Sequence, residues 1–342
     1  MFEFSYCLTA AVVILLWYKK LRKYGIMILL MDTDIGDDID DALALGFLMK
    51  TDIEIAGITT VYREAAKRAH IVRRLLELEG RNDIPVFAGA SKPLSEGAKI
   101  LGVLNYGEES AEEEDDGGLA AVKFIAECAE KYGNELVLLA IGAQTNVAMA
   151  IMRYPEKMQK AGRIVVMGGC FTFAHDEWNI ACDPTAARIV LESGLNVEYV
   201  PWEITSRVCI GKKNYDYILG LECGGLTGAL ADMVRSWSER NDYIPLLHDP
   251  LALMYALDSS FASTCRIKAA VVESGLAEGI TLNLTDGAGC NGASYKRPDA
   301  RTVTVVNGVD ERFVVKKFMS KVFNKSEVSS SAAQCGLETV SA

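Results

Sequence analysis

Six aspartates lie within ten residues of one another near the start of the chain: Asp32, Asp34, Asp37, Asp38, Asp40 and Asp41. Carboxylates this close together repel one another strongly unless a cation lies among them. Helix capping would use one or two of them, not six, and the loop does not match an EF-hand. Because calcium and magnesium ions prefer oxygen ligands, the pattern favours a site for a hard cation.

Three more stretches place polar side chains where a strand ends or a helix begins: Thr145-Asn146, Glu177-Trp178-Asn179 and His248-Asp249. Each has a structural explanation when it is taken alone. The first is typical of a helix N-cap, and the second is equally consistent with a loop that holds a half-buried tryptophan. In the third, Pro250 suits the first position of a helix and Asp249 suits its cap.

Apolar strands alternate with amphipathic helices around these stretches. The clearest strands are predicted at residues 26–30, 53–60, 84–89, 136–141, 163–167 and 197–200. Helices are predicted at residues 64–79, 119–132, 145–153, 183–192, 226–240, 250–257 and 310–323, with further strands at 267–272 and 303–306. Strands separated by helices of this length form a parallel sheet with right-handed crossovers. The predicted fold is α/β, with an open, mainly parallel sheet flanked by helices in a single large domain.

Composition narrows the function classes further. Half of the residues are hydrophobic, which excludes global disorder. The net charge of −11 and the pI near 5.0 argue against nucleic acid as the main partner. The nine cysteines are scattered and never in CxxC spacing, so a zinc cage is not expected. Most lie in apolar contexts typical of core cysteines in a reducing compartment, and we expect a cytoplasmic protein.

Both ends of the chain depart from this pattern. An apolar run at residues 6–18 precedes a basic cluster at residues 19–23, but it is too short for a membrane span and lacks the features of a signal peptide. We interpret residues 1–26 as an extension or weak anchor, and as the only segment expected to contact a membrane. Residues 27–323 form the predicted domain, with an exposed acidic loop at 105–118, and residues 324–342 form a predicted disordered tail.

Five motifs resemble, in order and spacing, those of the inosine–uridine-preferring nucleoside hydrolase family. They are Asp32-Thr-Asp34 with Asp40-Asp41-Ala42, Gly142-Ala-Gln-Thr145-Asn146, Met167-Gly-Gly169, Glu177-Trp178-Asn179 with Asp183-Pro184, and His248-Asp249-Pro250. The match spans roughly residues 27–323. The resemblance implies a ribonucleoside hydrolase of nucleoside catabolism and purine or pyrimidine salvage, with one Ca²⁺ ion at the carboxyl ends of the strands. It also implies a homo-oligomer, either a dimer or a tetramer.

The resemblance assigns a role to each matched position. Asp34, Asp41 and Asp249 would bind calcium through their carboxylates, and Thr145 would bind it through its backbone carbonyl. Asp34 would also be the general base for the metal-bound water. His248 would protonate the leaving base, because a purine or pyrimidine leaves poorly as an anion.

A second group of matched residues concerns the substrate. Asp40, Glu177 and Asn179 would bind the ribose hydroxyls, and Trp178 adds an aromatic face to the same substrate site. Nearby carboxylates would stabilise the positive charge that develops on the sugar as the N-glycosidic bond breaks.

The chain departs from the family pattern at three places. The aspartate motif is two residues longer than in the shortest family version, which leaves Asp37 or Asp38 as an extra carboxylate. Tyr62 and Arg63 occupy a turn where many members have Gly-Asn, and the loop at residues 170–176 is short. These changes concern substrate binding, so the nucleoside that the protein prefers stays open, including a modified ribosyl compound.

Two other functions remain as alternatives. The first is a magnesium-dependent phosphohydrolase, which the Asp-x-Asp after a strand suggests. Neither a glycine-rich phosphate loop nor a lysine accompanies the aspartate motif, which disfavours it. The second is a non-catalytic nucleoside or ribose binder of the same fold. The chain retains the matched residues of the site, which argues against that interpretation: Asp34, Asp41, His248 and Asp249.

Overall fold

The computed structural model of the protein describes residues 27–95, 116–285 and 301–324. The predicted N-terminal extension, most of the acidic segment at 105–118 and all but the first residue of the predicted tail lie outside these residues. No helix in the described part of the chain is long and apolar enough to cross a membrane.

The described strands form one sheet of nine strands. They are β1 (Ile28–Thr33), β2 (Glu54–Thr60), β3 (Val86–Ala88), β4 (Leu136–Ala140), β5 (Arg163–Met167), β6 (Val197–Val200), β7 (Ala262–Val271), β8 (Thr281–Asn283) and β9 (Arg301–Val309). Their order across the sheet is β3-β2-β1-β4-β5-β6-β9-β7-β8. The strands from β3 to β9 in this order pair in parallel, whereas β7 is antiparallel to both β9 and β8. The prediction of an open, mainly parallel sheet is confirmed.

Helices connect the strands and pack on both faces of the sheet. Within the described ranges they are α1 (Asp40–Met49), α2 (Ala65–Leu78), α3 (Leu119–Tyr132), α4 (Thr145–Arg153), α5 (Pro155–Met158), α6 (Trp178–Cys182), α7 (Pro184–Glu192), α8 (Trp202–Thr205), α9 (Lys212–Leu219), α10 (Gly225–Ser238), α11 (His248–Leu257) and α12 (Glu311–Val322). A short 3₁₀ turn, Gly133–Glu135, precedes β4.

Strand β1 lies in the middle of the core. Successive side chains of a strand point to opposite faces of a sheet, so Leu29 and Met31 join the apolar cluster on one face and Ile28 and Leu30 the cluster on the other. Every residue of β1 is buried. Its apolar run from Ile28 to Met31 therefore reflects a parallel strand that helices cover on both faces.

The order of the strands reverses at β1. The chain runs from β1 outward to β2 and β3 on one side, and then returns to place β4, β5 and β6 on the other. Asp32 is in register with Thr59 of β2 and Ala140 of β4, so the loops after these strands leave the sheet at the same edge. An open α/β sheet forms its ligand-binding crevice at such a reversal.

Several element boundaries differ from the prediction in ways that affect the polar residues. Helix α11 begins at His248, with Leu247 at its N-cap, so Asp249 lies in the first turn and is not the cap. The backbone N–H of Leu247 donates to the carbonyl of Val208 at 2.8 Å, which holds the start of the helix in place. Pro250 therefore occupies the third helical position rather than the first.

Two other polar stretches also differ from their simplest interpretations. Helix α4 has Gln144 at its N-cap without a side-chain cap, so Thr145 and Asn146 are not capping residues. The stretch that begins at Trp178 is the short helix α6 and not a loop. In both cases the polar side chains hydrogen-bond to other parts of the chain, as described below.

Cysteine pairing departs from the expectation in one position. The described cysteines Cys128, Cys170, Cys182, Cys223 and Cys265 are free. Cys209 is disulfide-bonded, which is uncommon in a reducing compartment. Of the five free cysteines, Cys128, Cys170 and Cys182 are buried as core cysteines are, whereas Cys223 is exposed and Cys265 is half-buried.

Candidate functional site

A cavity of about 490 Å³ opens at the carboxyl ends of the central strands. Asp34 lines it from the loop after β1, Ile141 from the loop after β4, and Met167 from the end of β5. Eight of the nine predicted site residues line this cavity, and Thr145 is the exception. Residues that are distant in the sequence thus meet at the reversal of strand order.

The cavity contains a cluster of three buried carboxylates. Asp40 and Asp41 lie in the first turn of α1, and Asp249 lies in the first turn of α11, which packs against α1. One oxygen of each carboxylate lies within 4.8 Å of the others. Burial raises the pKa of all three groups well above the ordinary value, and the negative charges of neighbouring aspartates raise it further.

This donor set fits a hard cation. Three buried carboxylates this close together ionise at neutral pH only when a positive charge compensates them, and calcium or magnesium ions take ligands of this type. Asp40, predicted to bind ribose, belongs to the cluster. Asp34, predicted as a ligand, lies nearby on the same cavity wall but outside the set of mutually close oxygens.

Asp34 is 4% exposed and is held by close packing from the loop after β4. A Cβ atom at Gly142 would lie 2.8 Å from both the backbone nitrogen and Oδ1 of Asp34, so only glycine fits there. Burial raises the pKa of Asp34 to about 7, against the opposing effect of the Arg68 charge. A carboxylate with this pKa can accept a proton near neutral pH.

Thr145 contacts the site indirectly through its side chain. Its hydroxyl donates to Oδ2 of Asp183 at 2.7 Å. The same carboxylate accepts the backbone N–H groups of Leu94 and Ser95, which follow β3, at 2.7 and 3.1 Å. Asp183 therefore ties the start of α4 to the loop after β3.

The side chain of Asn146 forms a second set of hydrogen bonds that connects strand ends near the cavity. Its amide nitrogen donates to Asp32 Oδ1 at 2.8 Å and to the carbonyl of Thr60 at 2.9 Å, and its oxygen accepts the N–H of Ala90 at 2.8 Å. Asp32 also accepts the hydroxyl of Thr59 at 2.5 Å. These bonds join the ends of β1, β2, β3 and β4, so Asn146 and Asp32 stabilise the frame of the site.

Glu177 and Asn179 line the cavity at the start of α6. The Glu177 carboxylate caps this helix, since it accepts the N–H groups of Asn179 and Ile180 at 3.0 and 3.1 Å. The amide nitrogen of Asn179 donates to the carbonyls of Ile141 and Met167, each at 3.2 Å. Both side chains are therefore held rigidly, which suits the orientation of a small polar ligand.

His248 lines the cavity beside Asp249. Its Nδ1 lies 2.6 Å from the hydroxyl oxygen of Thr205. The ring is partly accessible from the cavity, but burial within the surrounding protein lowers its pKa to about 4. The imidazole is therefore neutral at pH 7, and the hydrogen bond to Thr205 fixes its orientation.

Aromatic side chains surround the carboxylates. Trp178 is 38% exposed at the cavity wall, and His175 lies against Trp202 with ring centroids 4.2 Å apart. On another part of the wall, Trp237 Nε1 donates to Asp38 Oδ1 at 2.8 Å. The cavity therefore offers stacking surfaces together with acceptors.

Part of the cavity wall has no signal in the sequence: Trp202, Trp237, Asn241 and Tyr243. Trp202 closely follows β6, and the other three residues lie beyond residue 211, where the alternation of strands and helices that locates the other stretches becomes weak. Tyr62 and Arg63 are not among the residues that line the cavity. Tyr62 instead packs in a small apolar cluster with Ala143 and Cys182.

Similarity to known proteins agrees with this geometry. The profile of the family described as inosine-uridine preferring nucleoside hydrolase matches residues 29–316. The chain is 32% identical to uridine nucleosidase 1 of Arabidopsis thaliana over 248 residues, which cover 66% of this chain and 72% of that protein. It is 28% identical to the pyrimidine-specific ribonucleoside hydrolase RihA of Escherichia coli O9:H4 over 258 residues, covering 69% and 81% of the two chains.

Solved structures with a similar fold include two nucleoside hydrolases. The plant nucleoside hydrolase PpNRh1 superposes with a TM-score of 0.74 at 24% identity, covering 87% of this chain and 99% of that one. A purine-preferring ribonucleoside hydrolase from Gardnerella vaginalis superposes with a TM-score of 0.67 at 26% identity, covering 87% and 98%. The chain therefore belongs to the inosine-uridine preferring nucleoside hydrolase family and is a hydrolase acting on N-glycosyl compounds.

Proposed function

We propose that this protein hydrolyses the N-glycosidic bond of ribonucleosides to free base and ribose, with calcium as its metal ion. One observation carries the proposal: a single cavity is lined by a buried carboxylate cluster, by a further buried aspartate and by rigidly held polar groups. Breakage of this bond develops positive charge on the sugar, which these carboxylates would stabilise. The products assign the enzyme to nucleoside catabolism and base salvage.

The ligand set is the one that the family resemblance implies, and two of its members, Asp41 and Asp249, belong to the buried carboxylate cluster. Asp41 and Asp249, together with Asp34 and the backbone carbonyl of Thr145, would hold the ion. When bound, calcium would position a water molecule and lower its pKa. Asp34 is the general base in this proposal, because its pKa near 7 suits acceptance of a proton from water at neutral pH.

The remaining polar residues would orient the substrate. Asp40, Glu177 and Asn179 bind ribose hydroxyls, with Trp178 beside them on the cavity wall. Since Asp40 lies within 4.8 Å of both Asp41 and Asp249, a hydroxyl bound by Asp40 would also lie close to the ion. Accurate positioning of the ribose ring can remove much of the activation barrier of the reaction.

His248 would protonate the departing base. A neutral imidazole donates a hydrogen bond from one nitrogen, and the contact of Nδ1 with the hydroxyl of Thr205 holds the ring in place. The proposal therefore assigns Thr205 the role of orienting the ring.

The charge of the cavity also favours a nucleoside over a nucleotide. Among the described residues that line it there is no lysine or arginine, while many are aspartate or glutamate. A phosphate group would be repelled by this surface. This observation disfavours the phosphohydrolase alternative, and we expect nucleoside 5′-monophosphates to be poor substrates.

The test is release of free base by the purified full-length protein from uridine, cytidine, inosine and adenosine, and from uridine 5′-monophosphate. Uridine is the first choice, since one relative is named for it. We expect base release that stops on chelation and returns with calcium, and little release from the monophosphate. Calcium-dependent binding of nucleoside without release would overturn the proposal in favour of a binding protein, and release of inorganic phosphate would favour a phosphohydrolase.

The proposal includes assembly as a homo-oligomer, a dimer or a tetramer, as the resemblance implies. Light scattering on the purified protein measures the mass directly. A mass equal to one chain of 37.2 kDa would exclude both assemblies.

A further inference from the structure

A buried arginine lies directly beneath the aspartate loop. Arg68 of α2 is 0% exposed. Its Nε donates to the carbonyl of Tyr62 at 2.8 Å, and its Nη1 donates to the carbonyls of Asp34 and of Ile35, the latter at 3.0 Å. Its Nη2 forms an ion pair with Asp37 Oδ2 at 2.8 Å. One guanidinium thus binds three backbone carbonyls and one side-chain carboxylate.

The arginine stays charged in this environment. Burial by itself would lower its pKa, but the negative charges of Asp34 and Asp37 raise the pKa above the ordinary value. Arg68 is therefore a permanent cation next to a loop of aspartates. A planar guanidinium also fixes the relative positions of the groups that it binds, because its N–H donors form a rigid fork.

Arg68 also fastens an unusual turn to this loop. Tyr62 and Arg63 have φ angles of 70° and 57°, a left-handed conformation that costs free energy in residues other than glycine. The N–H groups of these two residues donate to the carbonyls of Ala90 and Ser91 at 2.8 and 2.7 Å. Because Arg68 binds the carbonyl of Tyr62, the turn after β2 is a rigid support for the loop after β1.

We propose that Arg68 is a positioning residue, which holds residues 34–37 in the conformation that receives the metal ion. Asp37, which belongs to the longer aspartate motif of this chain, is its anchor in the loop. The inference rests on the proposed metal site. Residues that orient metal ligands typically change metal affinity about 10- to 100-fold when they are replaced.

Charge and geometry predict opposite effects of replacing this arginine. If only charge mattered, removal of a nearby positive charge would tighten calcium binding, and lysine would substitute for arginine. If geometry matters, loss of the forked guanidinium donors releases the loop at residues 34–37 and weakens calcium binding. Lysine would then fail to replace arginine, because it carries the charge without the fork.

The experiment measures calcium affinity by isothermal titration calorimetry on chelator-treated full-length protein. The variants are Arg68→Lys, Arg68→Met and Asp37→Asn, with Arg74→Met as the control on the exposed side of the same helix. Arg74 is 64% exposed and pairs with Glu77. We expect calcium binding to weaken about 10- to 100-fold in both Arg68 variants, by about tenfold in Asp37→Asn, and not at all in the control.

For each variant, circular dichroism melts are recorded and kcat is measured at saturating calcium, alongside the titrations. If Arg68→Met fails to fold, Arg68→Lys and Asp37→Asn, in which the buried position stays occupied by a cation, carry the test. Calcium affinity equal to or tighter than wild type in the folded variants would overturn the proposal and leave Arg68 a purely structural residue. Wild-type protein that binds calcium but releases no base would overturn the proposed reaction alone, whereas absence of calcium binding would overturn the metal site and this role together.

Discussion

The proposed chemistry rests on carboxylates that are costly to ionise. Asp34, Asp40, Asp41 and Asp249 lie in one buried region, where burial raises the pKa of each and the neighbouring charges raise it further. A cation reverses this balance, because it stabilises the ionised form of every carboxylate that it contacts. The buried charge of Arg68 supplies part of this compensation from the protein itself.

Asp34→Asn tests the general base with little change of shape. We expect kcat at saturating calcium to fall by at least about 10²-fold, because the amide cannot accept the proton of the attacking water. Steady-state assays of base release measure this loss. Asp52→Asn, on the exposed surface before β2, is the control. A kcat close to wild type in Asp34→Asn would remove this residue from the role of base.

His248→Ala tests protonation of the leaving base. We expect a loss of about 10²-fold or more with natural nucleosides, and a much smaller loss with activated aryl ribosides, because good leaving groups need no proton. A series of ribosides with increasing leaving-group pKa measures the difference. Equal losses across the series would show that His248 acts only by packing.

At the scale of secondary-structure elements, the site is made by the ends of elements that meet. The loop after β1 approaches the loop after β4 so closely that Gly142 leaves no room for a side chain beside Asp34. The first turns of α1 and α11 bring the carboxylate cluster together. Small displacements of these ends would move the reacting groups more than they would disturb the core.

Gly142→Ala tests this close approach. Its methyl group would push Asp34 away, since the added atom would lie 2.8 Å from the backbone nitrogen and Oδ1 of Asp34. We expect a loss of kcat on the order of 10²-fold, with a destabilisation of about 1–3 kcal/mol. Kinetics and thermal melts measure the two effects. Gly224→Ala is the control, because a Cβ atom there meets nothing within 4 Å, and equal behaviour of the two variants would contradict the argument.

At the scale of the whole molecule, the proposed metal binding would be linked to folding. The cluster joins α1 to α11 across the core, so an ion there would bind only the folded chain. We expect calcium to stabilise the protein by about 2.7 kcal/mol at about 100 times its Kd. This corresponds to a rise in Tm of several degrees. Thermal melts with chelator and with added calcium measure it, and identical Tm values would contradict a calcium site in the folded protein.

The pH dependence of calcium binding follows from the same carboxylates. In the metal-free protein the pKa of Asp34 is raised from 3.8 to about 7. The folded state therefore holds more protons than the unfolded state between these values, and the contribution of Asp34 to stability falls as the pH rises through that window. Because calcium needs the ionised form, we expect its affinity to rise from pH 5.5 to 7.5 and its binding at pH 6 to release protons. Calorimetry in buffers of different ionisation enthalpy measures both, and a flat affinity would contradict the raised pKa.

Much of the architecture could be predicted from local patterns. The strands at residues 163–167 and 197–200 and the helices at 119–132 and 145–153 have the predicted bounds, because strongly apolar runs and amphipathic spacing reflect burial directly. The start of α11 could not be predicted. It depends on the backbone bond of Leu247 to Val208, a long-range contact that overrides the preference of Pro250 for the first helical position.

The role of Arg68 was equally hidden. In the sequence it lies on an amphipathic helix with Arg73 and Arg74, where an arginine is ordinarily solvated. Only the fold turns its side chain inward, beneath the aspartate loop. The crowded aspartates predict a compensating cation, and the structure places a cation of the chain itself, Arg68, beside their loop.

The sequence by itself determined the alternation of strands and helices and the identity of most of the cavity-lining polar residues, because burial and residue type are local properties. The tertiary structure decided which of these residues meet. Asp40 joins Asp41 and Asp249 in one cluster, whereas the Thr145 side chain turns to Asp183. These outcomes depend on the packing of α1 against α11 and of the loops after β1 and β4, contacts between segments far apart in the chain that local patterns do not encode.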